Sequence, residues 1–383
     1  MIDRALERRL PDAAAVEAVG APRIPRFLRH YTMGGIGPEV GLARNRAALD
    51  AVCLMPRYLV EEAAPDLTFD KARLRLLAPF GVAPMGLGGL IWPGSEEAIA
   101  RAMGAAGLAH ALSTVATTAV EVIAPLAGAG RMFQLYSFSD PGLDAALMAR
   151  VRDAGYDTLI VTVDVPGATR RRRDIQSGLS FPPRFTLATL MQMAASPRWL
   201  AGQAARGIPA FQNILPFLPK AGVTEQAAFL GQQVECHIGP ERLARIRAEW
   251  PGRLIVKGVL GADDAVAALA AGADGVVVSN HGGRQLDATP APVEVLPTIR
   301  DRLGDGALVL ADSGVRSGLD IARMIARGAD AVLIGRPFLL AAAAAGNRGP
   351  AHLAAVLMAE LRTTMAQLGR RTLADLRGVE WTR

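Results

Sequence analysis

The chain runs to 383 residues, 51% of them hydrophobic and 20% charged, a composition that excludes a disordered chain and suits one large alpha/beta unit. A formal net charge of +6 favours anionic partners such as acidic substrates, phosphates or anionic lipid surfaces. Nucleic acid is not expected, because Tyr and Trp number four each and the arginines are scattered apart from Arg170 to Arg173.

The N-terminal stretch MIDRALERRL has no apolar core of signal-peptide length, and residues 1–74 read as a helical cap. The two cysteines, Cys53 and Cys236, suggest neither a disulfide framework nor a Cys-rich metal site. No His/Cys pair has zinc-ligand spacing, so no metal is expected. The expected location is the cytoplasm, or the inner face of the cell membrane. From residue 75 to 340, short apolar runs alternate with alanine-rich helical stretches. The runs are LAPFGVAPMG, LAHALSTV, RMFQLY, DTLIVTVD, RLIVKG, GVVVSN, ALVLADSG and AVLIGR. Near-continuous apolar strands between helices imply a parallel sheet, and eight such units predict a TIM (β/α)8 barrel, alpha/beta in class. An open doubly wound sheet is the alternative, but no Gly-x-Gly-x-x-Gly turn follows the first strand.

The rhythm breaks once. Strand four ends near Asp164, strand five starts near Arg253, and residues 174–237 form a long insertion that is apolar, Pro-rich and poor in charge. Too broken to span a bilayer, it reads either as a lid over the active-site face or as a monotopic membrane-contact segment over about 177–215. No run of about 18 uninterrupted apolar residues occurs, so no spanning helix is expected. Residues 341–383 read as closing helices of the same single domain, with Ala341 to Ala345 as core packing.

Polar side chains gather where the apolar runs end, and active sites of such barrels lie at the C-terminal ends of the strands. Ser113 and Thr114 end strand two. Gln134 and Tyr136 end strand three, Thr162 and Asp164 strand four, and Ser279 and His281 strand six; each pair is two apart and so on one face. Lys257 ends strand five, where it could form a Schiff base or hold negative charge on a ligand. DSGVRSG and IGRP follow strands seven and eight, the usual phosphate site. There Gly314 and Gly335 let the backbone approach an anion, and Arg316 and Arg336 can pair with phosphate oxygens as planar forks. Ser317 suits an N-cap and Pro337 the first helical position. His30, His110, His237 and His352 read as structural. His281 differs, because Asp164 from another strand end can orient it and support its protonated form.

SNHGGRQLD resembles the signature of the FMN-dependent 2-hydroxy acid oxidases and dehydrogenases, a family that includes glycolate oxidase, bacterial L-lactate dehydrogenase and mandelate dehydrogenase. The likeness extends through YTMGGIGPEVGLARNR, LSTVATT, FQLY, TVDVP, IVKG, ADSGVRSGLD and IGRP, and is weakest in the insertion. It implies FMN held by Pro84, Met85, Gly86, Ser113, Gln134, Thr162, Lys257, Ser279, Asp312, Gly314, Arg316, Gly335 and Arg336. It also implies a substrate carboxylate gripped by Tyr31, Arg171 and Arg284, Tyr136 near the substrate hydroxyl, His281 as base and Asp164 as its partner. The implied reaction oxidises an (S)-2-hydroxy acid of the lactate or mandelate type to the 2-oxo acid. Gly86, Ser313 and LIWPG are more similar to the mandelate and lactate dehydrogenases. Those are membrane-associated, pass electrons to a quinone or other carrier, and are often tetramers. Val115 stands where glycolate oxidase has tryptophan, and Thr32 replaces a common second tyrosine. An oxygen-using oxidase that forms hydrogen peroxide and a flavin-binding protein without turnover are the competing readings.

Overall fold

The computed structural model describes all residues except 1, 61–63, 168, 178–185, 208, 219–221, 235–236 and 381–383. Eight parallel strands close into a barrel: β1 (Phe80–Val82), β2 (Ala109–Ser113), β3 (Arg131–Leu135), β4 (Thr158–Thr162), β5 (Arg253–Val259), β6 (Gly275–Val278), β7 (Leu308–Ala311) and β8 (Ala331–Ile334). β8 returns to β1, with Val332 opposite Phe80 and Ile334 opposite Val82, so the barrel sheet has no free edge. The strands alternate with period two between two apolar layers. Leu159 and Val161 pack outward against the helices while Ile160 points inward; Leu254, Ile255 and Val256 repeat the pattern. The expected TIM barrel is therefore the observed architecture.

The inner layer also includes Phe69, Leu74 and Leu76 from a hairpin in which Phe69–Lys71 pairs with Leu74–Leu76. The hairpin plugs the N-terminal mouth. Arg253, which opens β5, donates Nε to Ala72 O at 2.7 Å, and Lys71 Nζ lies 2.9 Å from Asp330, just before β8. Arg300 and Arg377 reach the same buried carboxylate, each at 2.7 Å. The division expected at residue 74 falls inside this hairpin, and the one expected at 340 falls inside helix Arg336–Ala345, where Ala341 to Ala344 are buried. Ser317 caps helix Gly318–Ala326 by accepting from Asp320 N at 3.1 Å.

The insertion is helical over Arg172–Ser177, Leu187–Ala194, Pro197–Arg206 and Val223–Gln233. It clamps loops at the barrel rim. Buried Trp199 donates Nε1 to Leu90 O at 2.8 Å, and buried Asn213 accepts from Val120 N at 2.9 Å and donates to Ser113 O at 3.2 Å. Its outer side leaves Leu187, Leu190, Met191 and Leu200 exposed. Cys236 and part of the expected 177–215 contact segment lie outside the described residues. Among the described residues, no helix is long and apolar enough to cross a membrane.

Asp330→Ala would leave Lys71 and Arg300 without their buried counter-charge. It is expected to lower stability by about 3 kcal/mol or more, read as a shift in the denaturant midpoint.

Candidate active site

The sequence-predicted site residues line one cavity at the C-terminal rim of the barrel, with two exceptions, Asp164 and Ser279. Asp164 stands behind His281. Ser279 is wholly buried, and its Oγ accepts from Lys257 Nζ at 3.2 Å and from His281 N at 3.0 Å. The structure thus places Ser279 as backing for two wall residues, not on the wall itself, because its hydroxyl is spent on them. None of the other four histidines lines the cavity. No described residue of the insertion after Arg173 lines it either; the described part of the insertion packs against the rim loops.

His281 Nδ1 lies 2.9 Å from Asp164 Oδ1. An ionised carboxylate only accepts, so Nδ1 carries the proton and the Nε2 lone pair is left for the cavity. Burial acts to raise the Asp164 pKa, but Lys257 and His281 outweigh it and hold the group below the usual carboxylate value. Burial and then Lys257 push His281 below its usual value, against the pull of Asp164. The imidazole is therefore neutral at neutral pH and ready to accept a proton. Its backbone sits at φ 56°, in the left-handed region that a residue with a Cβ rarely adopts.

Lys257 reaches this site through a bulge. The β5–β6 register slips between Lys257 and Val259, and Gly258 between them has φ +105°. A Cβ on Gly258 would lie 2.5 Å from Asp164 Cβ. The glycine therefore turns Lys257 inward and clears space for the carboxylate. Lys257 Nζ ends 3.6 Å from Asp312 Oδ2.

At the outer end of the cavity, the Tyr31 ring is flanked by two guanidinium groups, with Arg284 Cζ at 4.7 Å and Arg171 Cζ at 5.9 Å from its centroid. Arg284 is fixed by donating to Tyr31 O and, at 2.9 Å, to Gly34 O. In the basic run, Arg171 enters the cavity, Arg173 pairs with Glu39, and Arg170 and Arg172 stay exposed. Burial, then Asp164, pushes the Tyr136 phenol far above its usual pKa, so it stays a hydrogen-bond donor.

The remaining wall fits a flavin nucleotide. Gln134 Oε1 accepts from Ser113 Oγ at 2.7 Å, which leaves its buried Nε2 without a partner. Thr162 Oγ1 is buried and unpartnered as well. A ring edge carrying carbonyl and nitrogen acceptors would satisfy both. Gly314, at φ +90°, and Gly335 bare the backbone beside Arg316 and Arg336. Burial, then Arg284 and Arg316, drives the Arg336 pKa down to about 9, the mark of a cation lacking a counter-charge. A phosphate would supply one.

Sequence reasoning missed Gly258, Asn45, Asn280 and Asp287. A glycine right after a strand lysine is a readable bulge signal. Asn45 and Asn280 bond to each other across 235 residues, and no local pattern announces that. Asp287 accepts from Val40 N at 3.1 Å and Gly41 N at 2.8 Å, so the end of the SNHGGRQLD run caps an N-terminal helix.

A closed barrel whose C-terminal rim joins a carboxylate-oriented histidine to a basic, glycine-lined loop pair has the parts to hold a phosphate-bearing cofactor beside an anionic substrate. Comparison with known proteins narrows the class. The profile of the FMN-dependent dehydrogenase family matches residues 21–381, and the chain belongs to that family. L-lactate dehydrogenase of Bartonella tribocorum is 39% identical over 356 residues, covering 92% of this chain and 93% of that protein. L-lactate dehydrogenase of Caulobacter vibrioides is 40% identical over the same shares of each chain. Among solved structures, the monotopic membrane protein (S)-mandelate dehydrogenase superposes with a TM-score of 0.91 at 33% identity, over 96% of this chain and 98% of its own. A mandelate oxidase superposes with a TM-score of 0.81 at 32% identity, over 96% and 98% of the two chains.

Gly258→Ala is expected to push Asp164 away from His281 and to cost about 1–3 kcal/mol in backbone strain. Nitrogen NMR of the imidazole checks it: an unchanged Nδ1–H signal in the variant would contradict the role given to the bulge.

Proposed function

We propose that the protein oxidises a small (S)-2-hydroxy acid, of the lactate or mandelate type, to the 2-oxo acid and passes the electrons to a quinone or other carrier. The observation that carries this reading is the His281–Asp164 pair, 2.9 Å apart, presenting Nε2 to a cavity whose wall also includes Arg171, Arg284, Tyr31 and Tyr136. The similarity to L-lactate and (S)-mandelate dehydrogenases supports the substrate class.

Arg171 and Arg284 grip the substrate carboxylate through charge-assisted hydrogen bonds, and the Tyr31 hydroxyl completes that end. Tyr136, protonated throughout, donates to the substrate hydroxyl and turns the reacting carbon inward. His281 Nε2 takes a proton from the substrate, and Asp164 stabilises the imidazolium that results. When bound, FMN supplies the two-electron acceptor. Gln134, Thr162 and the backbone at Pro84 to Gly86 hold its ring, Lys257 keeps a positive charge beside it, and Gly314, Arg316, Gly335 and Arg336 hold its phosphate.

The exposed Leu187, Leu190, Met191 and Leu200 on the insertion form the patch that meets a bilayer peripherally, beside the basic 170–173 run. The monotopic character of the mandelate dehydrogenase relative supports this placement.

His281→Ala is expected to retain the yellow cofactor while anaerobic bleaching by 2-hydroxy acids slows by about 10²- to 10⁴-fold; near-normal bleaching would remove the base assignment. Asp164→Asn deletes the charge that props up the His281 pKa. The base is active when unprotonated, so the acid limb of the kcat/KM profile should move to lower pH while the rate falls. Leu190→Glu with Met191→Glu should abolish co-sedimentation with anionic vesicles and leave flavin reduction intact. Reoxidation that needs oxygen and yields hydrogen peroxide, with no response to quinones, would reverse the choice of acceptor.

A further inference from the structure

His281 is held in an unfavourable backbone conformation, and its holder lies elsewhere in the chain. Asn45 sits on helix Val40–Ala51, is buried, and does not line the cavity. Its Nδ2 donates to Asn280 Oδ1 at 3.0 Å, and Asn280 Nδ2 donates back to Asn45 Oδ1 at 2.7 Å. Asn280 Oδ1 also accepts from Gly283 N at 3.2 Å, and Asn280 Nδ2 also donates to Pro290 O at 3.2 Å. The Asn280 side chain therefore joins the backbone bond from Gly283 N to Asn280 O, at 3.0 Å, in tying the start of the His281 turn to its end. Between those points His281 stands at φ 56°, a conformation disfavoured for a residue with a Cβ.

We propose that Asn45 is a positioning residue: through its reciprocal amide bonds with Asn280 it holds the His281 turn in the left-handed conformation and so fixes the ring against Asp164. The proposal rests on the reading of His281 as the base. The physical case is one of matched donors and acceptors. Between them the two amides exchange one bond each way in a dry place, so removing Asn45 leaves the Asn280 amide with only its 3.2 Å bonds to Gly283 N and Pro290 O, one donor and one acceptor site short. The turn then relieves that penalty by relaxing toward an ordinary conformation. The charged groups facing His281 are Lys257 from β5, Asp164 after β4 and Arg284 on its own turn. Arg44 and Arg46, beside Asn45, bond away from it, to Glu294 and to Asp320.

The test uses FMN-loaded Asn45→Ala, with Asn45→Ser as the milder variant should alanine prevent folding. Crystal structures should show residue 281 out of the left-handed region and its ring farther from Asp164. Flavin reduction should slow about tenfold or more, with substrate KM within about threefold and FMN retained. A turn released toward solvent loses the burial and the Lys257 repulsion that together outweigh the pull of Asp164, so the acid limb of kcat/KM should move to higher pH. Asn45→Ala combined with Asn280→Ala should be no slower than Asn280→Ala alone; losses that multiply would overturn the pairing. An unmoved His281 in both Asn45 variants would overturn the proposal outright. A displaced His281 with an unchanged reduction rate would uphold the brace and instead remove the base assignment.

Discussion

Positive charge crowded at one rim of the barrel, balanced only in part by Asp174, Asp312 and Glu17, is the constraint around which this molecule is arranged. Among the described residues, the cavity wall carries Arg171, Lys257, Arg284, Arg316 and Arg336, and a single carboxylate, Asp312. Taking cations out of water is costly unless partners replace the hydration. Backbone carbonyls do part of that work: Arg336 donates to Thr32 O at 2.9 Å and Gly282 O at 3.0 Å. The remaining demand is for anions. On the proposed reading a nucleotide phosphate at one end and a substrate carboxylate at the other would supply them, making ligand recognition and charge balance one problem. A ligand at 100 times its Kd adds about 2.7 kcal/mol of stability by mass action alone.

The same carbonyl contacts explain why the N-terminal segment belongs to the site and is not a mere cap. Arg336 reaches Thr32 O and Gly34 O, Arg284 reaches Tyr31 O and Gly34 O, and Arg46 reaches Gly314 O in the phosphate loop. Asp287 caps helix Val40–Ala51 from the opposite side. The helices before the barrel and the loops after β6, β7 and β8 therefore hold one another, each filling hydrogen-bond needs the other leaves open.

How far the sequence could be read follows from the range of the forces involved. The strands were legible because near-continuous apolar runs record burial on both faces directly, and Gln134 and Tyr136, two apart, both reach the cavity wall, whereas Thr162 does and Asp164 stands behind His281. Ser317 was legible because a cap is a local bond. The facing of Ser279 was not: alternation puts it beside His281, but its hydroxyl is claimed by Lys257 and a backbone N–H, which only the folded neighbourhood decides. The Asn45–Asn280 pair and the place of the insertion depend on distant partners, Trp199 finding Leu90 O for example, and leave no periodic trace.

The hairpin seated in the N-terminal mouth carries a final implication. Phe69, Leu74 and Leu76 stopper that end with hydrocarbon, and the ion cluster around Asp330 keeps the stopper in place. Traffic through the barrel is thus one-sided. Any molecule that enters the barrel must use the opposite doorway, and the insertion with its bare leucines stands beside it.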